Sequence, residues 1–228
     1  MTTAAAPTAD LGNLWILPGV YAPQADTQLL ARALHAEGIT AGMDVLDVCT
    51  GSGALALLAA RMGARVYATD ISRRAVMTAR MNAARAGRRV RVLRGDLTAP
   101  VAGQRFDVVV SNPPYVPAPH ARCTRSHSSA VAWDAGHGGR QALDRICAHT
   151  RELLRPHGVL LMVHSGVCGV EETLRRLTKT GLHCSVTDRA YIPFGPVIIK
   201  RLPWLRAQGL IGADEDTEEL VIIRAEPS

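Results

Sequence analysis

Residues 111–117 read Ser-Asn-Pro-Pro-Tyr-Val-Pro and follow the apolar run Phe106-Asp107-Val108-Val109-Val110. That order puts Asn112 at the carboxyl end of a buried strand, the edge where open α/β sheets bind their ligands. The Asn112 side-chain carbonyl and the Pro113 backbone carbonyl can both accept hydrogen bonds from one planar –NH2 group. Pro113 and Pro114 fix φ and remove competing donors, so the two acceptors share one geometry. The Tyr115 ring can stack on the flat amide or base that carries the nitrogen. Such a nitrogen is a weak nucleophile because its lone pair is delocalised. Two acceptors pulling on its hydrogens localise that pair toward an incoming electrophile. A proline-rich turn alone needs no chemistry, but the strand before it and a glycine loop upstream favour the chemical reading.

Positioning that segment requires a sheet. Asp44–Cys49 reads as a first strand, with Asp47-Val48-Cys49-Thr50-Gly51-Ser52-Gly53 at the first strand-to-helix turn. Glycines there let backbone approach a ligand, with a helix N-terminus (Ala54 to Met62) behind it. Arg65–Thr69 is a second strand closed by Asp70, 19 positions after Gly51, a spacing that suits a carboxylate accepting ribose hydroxyls. Ser72 caps a helix reaching Ala86, with Gly87 as its stop. Val90–Leu93 is a third strand closed by Gly95-Asp96, and Asp96, next to Leu97, can accept from an adenine amino group. Taken alone, Gly51-x-Gly53-x-x-Ala56 plus Asp70 fits a dinucleotide fold equally well.

The remaining chain completes the pattern. A helix is expected over Asp26 to Glu37, a polar loop over about 116 to 138, and helices over Gln141–Leu154 and Val170–Thr180. Gly158–Val163, Cys184–Thr187, Val197–Arg201 and Leu220–Arg224 read as strands, the last two as a hairpin around the acidic loop Asp214–Glu219. Strands alternating with helices imply a doubly wound, mostly parallel sheet, and the terminal strands an antiparallel edge.

At 228 residues the chain suits one α/β domain, with residues 1–18 as tail and lead-in and 19–228 as the domain. Hydrophobic content of 47% with 4% aromatics excludes a disordered chain. No apolar run approaches the roughly 20 residues that span a bilayer, so no membrane partner is expected. Met1–Asp10 lacks a signal-peptide pattern, and five cysteines without a C-x-x-C suit reduced thiols; both point to a cytoplasmic location. His120, Cys123 and His127 lack a fourth ligand, so no metal is expected. The net charge of +6 is carried almost wholly by arginine. Arg73, Arg74, Arg80, Arg85, Arg88, Arg89, Arg91 and Arg94 cluster on one helix and the strand after it, a patch that can track nucleic-acid phosphates or simply be a solvated face.

With Asn112-Pro113-Pro114-Tyr115 after the fourth strand and Asp96 after the third, the chain resembles the class I S-adenosylmethionine-dependent methyltransferases. More narrowly, Gly19-Val20-Tyr21-x-Pro23-x-x-Asp26-Thr27-x-Leu29-Leu30 and Ala132-Trp133-Asp134-Ala135-Gly136 with Gly139-Arg140 resemble HemK-like protein glutamine methyltransferases. The likeness runs from Gly19 to Arg224 and is strongest to the short branch without an N-terminal helical domain. The resemblance implies a Rossmann-like, seven-stranded sheet with an antiparallel edge hairpin. It implies S-adenosylmethionine as methyl donor and S-adenosylhomocysteine as product. It implies donor binding by Thr27, Asp47, Cys49, Gly51, Gly53, Asp70, Ile71, Asp96, Leu97 and Asn112. It implies catalysis at Asn112, Pro113, Pro114 and Tyr115, and substrate contacts at Trp133 and Arg140.

The implied acceptor is the glutamine of a Gly-Gly-Gln release factor, and short-branch members in other lineages use a small activator subunit. Cys49 departs from the family, which has a glycine there. The plainer roles are helix capping by Asp26 and Thr27, a loop tie by Asp47, core packing by Trp133 and a surface charge at Arg140. The competing functions are N6-adenine methylation of DNA or RNA, small-molecule N- or O-methylation, and a non-catalytic donor-binding module.

Overall fold

The computed structural model describes residues 9–119 and 135–228. Seven strands form one sheet in the order β3-β2-β1-β4-β5-β7-β6. These are β1 (Asp44–Val48), β2 (Arg65–Asp70), β3 (Val90–Arg94), β4 (Phe106–Ser111), β5 (Leu154–Ser165), β6 (Leu182–Pro193) and β7 (Thr217–Pro227). The first five pair in parallel, so their carboxyl ends share one edge. β7 pairs antiparallel with both β5 and β6.

The central strands explain their own burial. β1, Asp-Val-Leu-Asp-Val, is buried at every residue, as expected of a strand covered on both faces. Val45 turns to one layer, with α1 (Ala25–Ala36), α2 (Ala54–Arg61) and α3 (Arg73–Arg85). Leu46 and Val48 turn to the other, with α4 (Gln141–Leu153) and α5 (Val170–Lys179). α3 starts where Ser72 accepts from the Ala75 N–H, as the sequence suggests.

One expectation fails. Val197–Arg201 is not a strand but part of α6 (Pro196–Ala207), so the sheet has seven strands rather than one more, and a helix separates β6 from β7. The β-branched run Val197-Ile198-Ile199 misleads. Pro196 in the first turn and apolar Ile198, Leu202 and Leu205 at helical spacing pack instead against Phe194 and Ile211. The antiparallel strand is accordingly internal, β7 between β5 and β6, and β6 forms the edge. Among the described residues no helix is long and apolar enough to cross a membrane.

Candidate active site

A cleft of about 320 Å³ opens at the shared carboxyl edge, within the range of small-ligand sites. Its walls are the lead-in Gly19–Gln24 with Asp26 and Thr27, the loops after β1 to β4, and, from the far end of the chain, Gly195–Ile198 and Glu218. Buried Asn82 of α3 fastens the lead-in: it accepts from the Trp15 N–H (2.8 Å) and donates to the carbonyls of Trp15 (2.8 Å) and Ser52 (2.9 Å).

At one end, Asp70 accepts from the backbone N–H groups of Gly51 (2.9 Å) and Ser72 (2.8 Å). Two backbone amides fix the carboxylate at the cleft wall. Ile71, Asp96 and Leu97 line the same end. Asp96 is held by Arg145 through two bonds of 3.1 and 2.8 Å, both side chains close to half exposed. An exposed pair of this kind contributes roughly 0–1 kcal/mol, so it yields readily to a ligand.

Cys49 lines the cleft at φ 64°, the left-handed region that favours glycine. A non-glycine residue there costs about 1 kcal/mol. Cys49→Gly relieves that strain in free and bound protein alike, and because it also takes a side chain out of the wall it is expected to tighten donor binding by about threefold or more. Calorimetric titration with S-adenosylmethionine checks this, and weaker binding in the variant would contradict it.

Two expected donor contacts lie elsewhere. Asp47 is 1% exposed and does not line the cleft. Its Oδ2 accepts from the Thr50 hydroxyl (2.6 Å) and the Ala56 N–H (3.1 Å), while Oδ1 has no partner among the described residues, and burial pushes its pKa up to about 7. Asp47 is the peg under the glycine loop. Gly53, at φ 83°, also sits behind the wall; a Cβ there would meet the Ala79 Cβ at 3.0 Å, so glycine lets α3 approach.

At the other end, one hydrogen-bond chain organises Asn112 and Tyr115. Asn112 Nδ2 donates to Thr27 Oγ1 (3.3 Å), and Thr27 Oγ1 donates to Asp26 Oδ1 (3.1 Å). Asp26 Oδ2 accepts the hydroxyls of Tyr21 (2.8 Å) and Tyr115 (3.0 Å). With Nδ2 committed, Asn112 Oδ1 is left as the acceptor, and Pro113 and Pro114 line the same cleft. Burial, and then the Asp26 charge, raises both phenols well above their ordinary pKa, so they remain donors. Neither Asp26 nor Thr27 is the cap of α1; the N-cap is Gln24, without a side-chain bond. Tyr21 and Asp26 were visible in the lead-in pattern but not as partners of Tyr115, which lies 89 residues on from Asp26.

Arg140 is not in the cleft. Its guanidinium donates to the carbonyl of Gly169 (3.0 Å) and the Thr173 hydroxyl (3.1 Å) and pairs with Asp144 (2.9 Å), stapling α4 to α5. Trp133, with His120, Cys123 and His127, falls outside the described residues. The loop's two ends meet through Ala118 N–H to Gly136 O (2.9 Å) and Ala135 N–H to Val116 O (3.1 Å). Gly139 backs onto Tyr115: a Cβ there would come within 2.4 Å of the Tyr115 carbonyl.

Several of the clustered arginines serve the fold. Arg74 and Arg94 donate to the carbonyls of Pro18 and Ile71, Arg80 to that of Val92, and Arg85 lies 4.3 Å over the Trp15 ring. The cleft has the opposite character. Asp26, Asp70 and Asp96 line it, together with Glu218, whose burial favours the neutral form, and among the described residues no Lys, Arg or His does. An acid-walled cleft in a basic protein suits a cationic ligand such as a sulfonium, and the peg, loop and Asp70 cradle fit its nucleoside.

A family model described as "Methyltransferase small domain" matches residues 12–128. The putative protein N5-glutamine methyltransferase of Methanocaldococcus jannaschii is 31% identical over 188 residues, 82% of this chain and 93% of that one. The release factor glutamine methyltransferase of Gloeobacter violaceus is 37% identical over 191 residues, 79% of this chain and 67% of that one. The E. cuniculi Mtq2–Trm112 complex, responsible for methylating the termination factor eRF1, superposes with a TM-score of 0.64 at 25% identity, covering 92% of this chain and 99% of that chain. The resemblance first carried by four residues after β4 thus extends through the whole sheet, and the chain belongs to the Methyltransferase small domain family, HemK-like and dependent on S-adenosylmethionine.

Proposed function

We propose that the chain methylates the side-chain nitrogen of a protein glutamine, in the Gly-Gly-Gln motif of a release-factor-like substrate in the cytoplasm, with residues 19–228 as one catalytic unit. The observation that carries this is the Asn112 amide turned by Thr27, beside the Pro113 carbonyl and a Tyr115 ring held by Asp26. Asn112 Oδ1 and the Pro113 carbonyl take the two hydrogens of one –NH2, and Tyr115 lies against its plane, with Pro114 fixing the turn. Thr27, Cys49, Gly51, Asp70, Ile71, Asp96, Leu97 and Asn112 hold the donor. The donor supplies a methyl group made electrophilic by a sulfonium. The chain's residues align the nitrogen with it and exclude water; alignment alone can be worth effective molarities of about 10⁵ M or more. No strong base is required, because the methylated nitrogen is a cation that releases its proton readily.

An adenine presents a similar amine, but among the described residues the charged groups that line this cleft are carboxylates, which disfavours nucleic-acid phosphates there and so the DNA or RNA reading. The test offers labelled S-adenosylmethionine to a Gly-Gly-Gln release factor, to DNA and to RNA. Label is expected on the glutamine nitrogen, identified by mass spectrometry. Label on nucleic acid alone would overturn the proposal, and bound donor with no label anywhere would favour a small-molecule enzyme or a docking module. Activity of the chain by itself separates a self-sufficient enzyme from one that needs a small activator subunit.

A further inference from the structure

β7 runs against β1–β5, so its first residues, not its last, reach the cleft edge. Glu218, the second residue of β7, is 5% exposed and lines the acceptor end. Alternation along the strand turns Glu218, Leu220 and Ile222 to the layer that holds α1. The Ser165 hydroxyl is its hydrogen-bond partner, while its Oε1 is buried with no partner among the described residues. A buried carboxyl oxygen left unmatched in a substrate cleft points to a ligand atom.

We infer that Glu218 donates, as a neutral carboxyl, to the carbonyl oxygen of the acceptor amide, so that the cleft reads both ends of a glutamine side chain. This rests on the glutamine reading above. An amide gripped only through its –NH2 leaves its oxygen in a water-poor site without a donor, and the site would then treat an amine as well as an amide. The side-chain protons nearest the cleft's inner wall are committed: Tyr21, Tyr115 and Thr27 all donate to Asp26. Gln24 is exposed at the rim.

Burial first, and then the Asp26 charge, push Glu218 up to about 7 against the pull of the Ser165 hydroxyl. The groups facing it are Asp26 of α1 and the phenols of Tyr21 and Tyr115. β6 pairs Ile192 with it, and α6 brings Ile198 to the same cleft. Arg201 of α6 donates to the Pro117 carbonyl, Lys200 is exposed, and His164 lies on the opposite face of β5. The proton, and with it the donor, is therefore present below about pH 7 and lost above it.

The test measures kcat/KM for a Gly-Gly-Gln peptide from about pH 6 to about pH 9, where neither amide nor sulfonium titrates, in wild type, Glu218→Gln and Glu218→Leu. Wild type is expected to fall about tenfold per pH unit above the Glu218 ionisation. Glu218→Gln keeps a permanent –NH2 donor, so it should stay within about threefold of wild type at the acid end and not fall at the alkaline end. Glu218→Leu should lose about 30-fold or more at the acid end with the donor dissociation constant unchanged. The inference is overturned if Glu218→Gln follows the wild-type decline, or if Glu218→Leu keeps the wild-type rate. A wild type that binds donor but never methylates the peptide would overturn the glutamine reading itself.

Discussion

Asn112→Ala is expected to lower turnover by about 10³-fold or more while weakening donor binding, to which Asn112 is one of eight contributors, by no more than about tenfold. In the proposed reaction Asn112 supplies one of the two acceptors for the –NH2, and its amide is already oriented by Thr27, so no reorganisation is needed when substrate arrives. The alanine variant removes that acceptor and leaves the Asp70 and glycine-loop cradle untouched at the other end of the cleft. Thr27 keeps its bond to Asp26, so the wall should not collapse. Single-turnover measurement with labelled donor separates the chemical step from binding. Turnover within about tenfold of wild type would take Asn112 out of the reaction.

Asp26→Ala is expected to act through structure as well as rate. The carboxylate is 3% exposed and accepts two phenols and the Thr27 hydroxyl. Its loss strands two largely buried hydroxyls, at about 1–3 kcal/mol for each group left unmatched. We expect a destabilisation of about 3–5 kcal/mol, read by chemical or thermal unfolding. The Tyr115 ring, no longer fixed by its hydroxyl, should cost a further rate loss of about 10²-fold in the fraction that stays folded. Asp26→Asn retains an acceptor at the same place and should be milder on both counts. An alanine variant with wild-type stability would mean that the two tyrosines are held by packing rather than by this carboxylate.

How much of this was legible beforehand differs by residue. Asp70, Asp96 and Asn112 reach the cleft because each closes or follows a parallel strand, and a strand end is written in the local pattern of an apolar run closed by a polar residue. Asp47 and Gly53 share the glycine-loop motif with Gly51, yet they face the protein: a motif gives spacing, while the side a residue faces depends on what packs behind it, here Ala56 and Ala79. Arg140 was within the family pattern too, and its charge is absorbed by carbonyls and a hydroxyl at the start of α5. Val197–Arg201 shows the limit of β-propensity, because a β-branched residue such as Ile198 suits a buried helix face as well as a strand once Phe194 and Ile211 are there to cover it.

The sequence by itself determined the alternation of strands and helices, the loops at their carboxyl ends, and the Asn-Pro-Pro-Tyr segment after β4, because these depend on near-neighbour periodicity and fixed proline geometry. Tertiary structure alone decided that Asp26 and Tyr21 would brace Tyr115 and that Glu218 would enter the cleft. Those contacts join positions far apart in the chain, and the last of them requires β7 to be threaded antiparallel between β5 and β6, an order that no local pattern encodes.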